Sequence, residues 1–137
     1  MQRWTWVRAM ALLLAVPAWG QGLPPEQRIG EISFVTGGAS ESDGVAFRQA
    51  SGRYPLAIEV LRTSSGRPGP TTGAQVAVLR PSGEEVISTR AEGPYVLARV
   101  PPGDYVVRAE LNGRVLSQDV SVMGAGTARA VITFAGD

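Results

Sequence analysis

Two stretches of this chain alternate apolar and polar positions most clearly. Tyr54, Leu56, Ile58 and Val60 stand against Pro55, Ala57 and Glu59, and Tyr105, Val107 and Ala109 against Asp104, Arg108 and Glu110. A period of two with one apolar face predicts strands that lay that face on a core. From Gln75 onward such runs recur at nearly even spacing: Val76 and Val78, Val86 to Thr89, Tyr95 to Val100, Tyr105 to Ala109, Val115 to Val122, and Ala128 to Phe134. With the strand from Tyr54, the count is seven. Short strands at regular spacing with almost no helix predict an all-β fold, a seven-stranded Ig-like or prealbumin-like β-sandwich.

The breaks between these runs are turn chemistry. Arg80-Pro81-Ser82-Gly83 has proline second and glycine fourth, the pattern of a type I turn, and Asn112-Gly113 suits a two-residue hairpin because both residues tolerate positive φ. Glu92-Gly93-Pro94 and Gly124 to Gly126 mark two more breaks. The pivotal stretch is Val100-Pro101-Pro102-Gly103-Asp104-Tyr105, where two prolines fix φ and withhold donors while glycine is free to complete the reversal. The strand before it, Tyr95 to Val100, is apolar on both sides. A bulge near Ala98 and Arg99 would resolve this by turning Tyr95, Leu97 and Val100 inward together and leaving Arg99 exposed at the end of the sandwich.

Upstream, Ile32 and Phe34 alternate with Glu31 and Ser33, predicting a short strand over Glu31 to Val35 that Gly37 and Gly38 end. Ser40 followed by Asp43 predicts a helix start, and one short helix is expected over Glu41 to Ala50, with Gly52 as its left-handed C-terminal cap. Gln21 to Gly30 has little periodicity and is expected to be a loose leader. Thr63 to Gly73, almost wholly Thr, Ser, Gly, Pro and Arg, is expected to be a mobile loop.

The first twenty residues follow the order of a secretory signal. Arg3 and Arg8 supply the positive start, Met10 to Pro17 the apolar run, and Ala18 and Gly20 the small residues before a cut ahead of Gln21. The apolar run is about half of the roughly 20 residues needed to cross a bilayer. The expected organisation is therefore a signal peptide over 1–20, a leader with short strand and helix over 21–53, and the sandwich domain over 54–137. The expected location is periplasmic or secreted, with no stable membrane insertion after cleavage.

Without the signal, eleven arginines face twelve carboxylates, a formal charge of −1, so the chain lacks the basic field that nucleic acid binding needs. All three tryptophans also leave with the signal. There is no His, Cys or Lys, which removes triads and dyads of the usual kind and Schiff-base chemistry. The adjacent carboxylates Glu84 and Glu85 follow a turn glycine, and neighbours in a strand point to opposite faces. Glu41, Ser42 and Asp43 lack the spaced oxygen ligands of a calcium loop. Gly124-Ala125-Gly126 lacks the third glycine and the helix of a phosphate loop. Arg80, Arg90, Arg99 and Arg108 could form an outward patch suited to carboxylates, or pair with nearby acids as scattered surface arginines. No catalytic, cofactor-binding or metal-binding residue is assigned, no cofactor is expected, and the chain is not expected to be an enzyme.

Gly93, Tyr95, Leu97, Val100, Pro101-Pro102-Gly103, Tyr105, Val107 and Ala109 resemble the signature of carboxypeptidase regulatory-like domains, a transthyretin-like or prealbumin-like β-sandwich group. The resemblance runs from about Leu56 to Phe134. It implies a support or binding domain without peptidase activity of its own. The related hydroxyisourate hydrolases rely on histidines, which this chain lacks, so that activity is not carried over. Three readings follow. The first is a non-catalytic periplasmic module that binds or supports a protein partner through a sheet edge or through Thr63 to Gly73. The second is a small-ligand carrier or hydrolase of transthyretin type, which requires a dimer or tetramer with a central channel. The third is a carbohydrate-binding or cell-surface structural domain, which the loss of all tryptophan disfavours.

Overall fold

Residues 23–136 are described by a computed structural model, and the signal assigned to 1–20 lies outside them. Ten strands and one helix follow in order: β1 (Gln27–Ile29), β2 (Ile32–Gly37), α1 (Glu41–Ala50), β3 (Leu56–Ser64), β4 (Arg67–Pro70), β5 (Gln75–Leu79), β6 (Glu85–Arg90), β7 (Tyr95–Arg99), β8 (Gly103–Leu111), β9 (Arg114–Val122) and β10 (Ala128–Ala135). They form two sheets. The first runs β1-β2-β7-β3-β10, with β4 also paired to β3; the second runs β6-β5-β8-β9. All pairs are antiparallel except β3 with β10, which lie parallel from Leu56 opposite Ala128 to Thr63 opposite Ala135.

The core between the sheets takes the predicted faces of β3 from Leu56, β8 and β10, but on β7 the face opposite to the one expected. Leu56, Ile58 and Val60 of β3, Val96 and Ala98 of β7, and Ile132 and Phe134 of β10 pack in one cluster with Val76, Val78, Ile87, Tyr105 and Val107 from the other sheet. Full burial of each large apolar side chain contributes about 1.5–3 kcal/mol. The seven strands counted from Tyr54 are all present as β3 and β5 to β10. The total is ten because β1 and β4 form where loose chain is expected, and because β2 joins the sandwich sheet by pairing with β7.

Two expectations about the strand before the double proline are corrected together. The pairing of β7 with β2 and with β3 runs without a shift, so there is no bulge at Ala98 and Arg99. Instead β7 is a central strand buried on both faces. Val96, Ala98 and Val100 face the inter-sheet core, while Tyr95 and Leu97 join a second cluster with Val35, Phe47, Ala50, Tyr54 and Ala57 under α1. A helix covering the outer face removes the conflict that a bulge would have resolved. Phe47 and Tyr95 stack with ring centroids 5.9 Å apart.

The helix starts as predicted, with the Ser40 side chain accepting from the Asp43 amide at 3.2 Å. It does not end in a left-handed glycine. The chain passes into a 3-10 turn over Ser51–Arg53 that contains Gly52. Behind it the backbone of Gly93 abuts that of Gly37 and Ala39 so closely that no side chain fits. The Thr36 hydroxyl, buried there, donates to the Tyr95 carbonyl at 2.8 Å and accepts from the Glu92 amide at 3.1 Å.

Thr63 to Gly73 is not a mobile loop. Arg67–Pro70 pair with Leu61–Ser64 as a hairpin turning at Ser65 and Gly66, both with positive φ. Buried Thr71 donates to the Val60 carbonyl at 2.9 Å. Composition misleads here because β3 offers a free edge beyond Glu59, the last position where it pairs with β7. Both predicted turns hold: the Gly83 amide donates to the Arg80 carbonyl at 2.8 Å, and Asn112 and Gly113 both take positive φ between β8 and β9.

Candidate functional site

A polar cluster lies where β7 ends. Arg99, its last residue, reaches over the ring of Tyr54, with the guanidinium carbon 4.3 Å from the centroid. Tyr54 is fixed beside it by the 3-10 turn, whose Ser51 carbonyl accepts from the Tyr54 amide at 3.2 Å. Glu26, immediately before β1, completes the group. Its Oε2 accepts from the Tyr54 hydroxyl at 2.7 Å and from Arg99 Nε at 3.3 Å. Arg99 Nη1 donates to the Arg53 carbonyl at 3.4 Å, which orients the fork.

The electrostatics follow from this geometry. Hydrogen bonds from Tyr54 and Ser33 and the charge of Arg99 hold the Glu26 carboxyl below its ordinary value, against a smaller opposing effect of burial. Burial first, and then the neighbouring carboxylate, push the Tyr54 phenol above its ordinary value. The ensemble is a carboxylate receptor made of a planar cation stacked on an aromatic ring and a phenol donor. The leader supplies the carboxylate. An open cleft of about 340 Å³ continues from it, lined among others by Arg99, Pro102, Met123 and Gly124.

The other arginines of the proposed patch do not gather. Arg80 pairs with Glu84 at 3.4 Å, Arg108 with Glu85 at 3.2 Å and Arg99 with Glu26 at 3.3 Å. Arg90 lies against Gly73. The adjacent carboxylates Glu84 and Glu85 thus serve different arginines. Gly124 to Gly126 form the bend between β9 and β10. Among the described residues no three His, Cys, Asp or Glu side chains come together as a metal-binding group. No helix among them is long and apolar enough to cross a membrane.

A second feature is the flank formed by β9 and β10, the terminal strands of their sheets. Strand β9 pairs with β8 in one unbroken register over nine residues. Its Val115 and Leu116 are 53% and 40% exposed, and Val131 on β10 is 50% exposed. At one end Arg114 Nη1 donates to the Ala135 carbonyl at 2.6 Å beside a cleft of about 420 Å³. A hollow of about 600 Å³ lies between α1 and the β3–β4 hairpin, where Glu59, Leu61, Pro68, Pro70, Pro94 and Tyr95 line it.

Sequence reasoning placed Arg99 at the exposed end of the sandwich and missed Glu26. No local signal marks Glu26, because its partners are 28 and 73 residues away. No family model matches the chain, and no curated protein matches it.

Proposed function

We propose that this chain is a non-catalytic, exported β-sandwich module of the carboxypeptidase regulatory-like kind that binds a protein partner in the periplasm or at the envelope. The observation that carries the reading is strand β9. An edge strand presents a row of unpaired backbone donors and acceptors, and proteins that avoid pairing blunt such edges with charged side chains, proline, a bulge or brevity. Strand β9 has no proline or bulge over nine residues, is charged only at Arg114 and Asp119, and carries exposed Val115 and Leu116. The opposite edge, β6, is shorter and its pairing with β5 is interrupted between Val78 and Leu79. Strand addition at β9 supplies main-chain hydrogen bonds, with Val115 and Leu116 as apolar contacts. The resemblance to support domains and the absence of His and Cys favour binding over chemistry.

The test is site-specific photo-crosslinking in the periplasm. A crosslinker at exposed Ser117 on β9 captures one discrete protein, and the same group at exposed Ser88 on β6 captures none. Equal capture at both positions, or none at either, rejects the reading.

A further inference from the structure

We propose that the β2 edge, with Arg99 and Tyr54 beside it, is a receptor for an extended, carboxylate-bearing segment of another protein, occupied in cis by the chain's own residues 23–29. This acceptor is separate from the β9 edge.

The acceptor and its cover differ sharply. Ile32 to Thr36 of β2 are buried and held in the sheet by β7. The cover, β1, is three residues long, exposed throughout, and among the described residues pairs only with β2. Short, exposed pairings of this kind open locally at little cost, and ligand-binding elements are drawn from them. Opening β1 uncovers the backbone groups of β2 opposite Gln27, Arg28 and Ile29.

Arg99 and Tyr54 also have contacts outside the cover. Arg99 is held over Tyr54 by the ring face and by the Arg53 carbonyl, and both residues belong to the sandwich and its 3-10 turn. With Glu26 gone, a guanidinium edge and a phenol hydroxyl remain aimed at one point. An incoming carboxylate satisfies them best, because it accepts both bonds and carries the opposing charge.

The cis occupant defines what fits. Leu23 packs on the apolar cluster beneath α1, Glu26 reaches the receptor, and Gln27–Ile29 add to β2. The recognised ligand is therefore an extended peptide with an apolar residue, a side-chain carboxylate three positions later, and a strand of about three residues after it. Backbone pairing supplies affinity and the carboxylate supplies selection, as in other strand-addition sites.

The experiment uses the mature full-length chain carrying Glu26→Gln, which removes the cis carboxylate. The probe is a fluorescein-labelled, amidated peptide of the sequence from Leu23 to Gly30, compared with the same peptide bearing Gln for Glu, by fluorescence anisotropy. With both termini capped and the label common to both, the two peptides differ in charge only at this side chain. The Glu peptide is expected to bind at least tenfold more tightly than the Gln peptide. Adding Arg99→Ala is expected to abolish that preference. Tyr54→Phe, which keeps the ring and removes only the hydroxyl, should reduce it severalfold. Absence of saturable binding, or equal affinity for both peptides, overturns the proposal. Failure of capture at Ser117 bears on the β9 reading alone and leaves this result standing.

Discussion

The hydroxyl of Tyr105 donates to the carbonyl of Pro101 at 2.7 Å, across the turn that carries the chain from one sheet to the other. The ring is 1% exposed in the inter-sheet core. One side chain thus both fills the core of the second sheet and fixes the geometry of the crossing from the first. Tyr105→Phe should cost about 1 kcal/mol, the net worth of one hydrogen bond, and Tyr105→Ala about 3–5 kcal/mol, the cost of a large aromatic cavity. Urea unfolding of the two variants separates these contributions; near-equal losses would show that the hydroxyl carries the effect.

The Glu26 carboxyl makes stability depend on acid. Its folded value lies below the ordinary 4.5 through the bonds from Tyr54 and Ser33 and the charge of Arg99. The stabilisation is therefore complete above the unfolded value and is lost as pH falls through the folded one. The difference in unfolding free energy between the wild-type chain and Glu26→Gln should be constant from pH 7 to 6 and shrink on acidification below about pH 4.5. A difference that stays flat down to pH 3 would show that Glu26 is not held by this pairing.

Two glycines should respond oppositely to alanine. At Gly93 an added methyl collides with the backbone of Gly37 and Ala39, so strands or helix must move, and a loss of about 1–3 kcal/mol or more is expected. At Gly52 an added methyl meets nothing within 4 Å, and the substitution should be neutral or stabilise by up to about 1 kcal/mol. Thermal unfolding ranks the pair; a tolerant Gly93 would contradict the close approach.

The β3–β4 hairpin should matter to stability. Thr71→Val removes a buried bond to the Val60 carbonyl and should cost about 1–3 kcal/mol. Excising Thr63 to Gly73 should cost more, because it also removes all of β4 and the end of β3, six residues of the hairpin pairing. Chemical denaturation checks both, and an unchanged midpoint after excision would mean the segment is a passive loop.

The sandwich was legible because strands such as β8 and β10 expose one face to water and bury the other, so the period of two survives in Tyr105 to Ala109 and Ala128 to Phe134. Where a strand is covered twice, that signal fails. Tyr95 to Val100 reads as ambiguous alternation because the second cover, α1, comes from residues some fifty positions earlier. Arg67–Pro70 reads as loop because a strand edge elsewhere, and not its own apolar content, orders it. Glu26 is the extreme case, since its role depends on Tyr54 and Arg99 being brought together by the sheet.

The parallel pairing of β3 with β10 sets a constraint on timing. Each residue of β3 from Leu56 to Thr63 meets a partner 72 positions further along the chain. Contacts this distant in sequence are slow to form, because closure of the intervening loop precedes any gain from them. Until Ala135 has been synthesised, β3 carries an unfilled edge and the apolar face of Ile58 and Val60 lacks the cover of Ile132 and Phe134. The nascent chain is therefore sticky until β10 arrives, and that window of exposure closes only when the whole strand set is present at once.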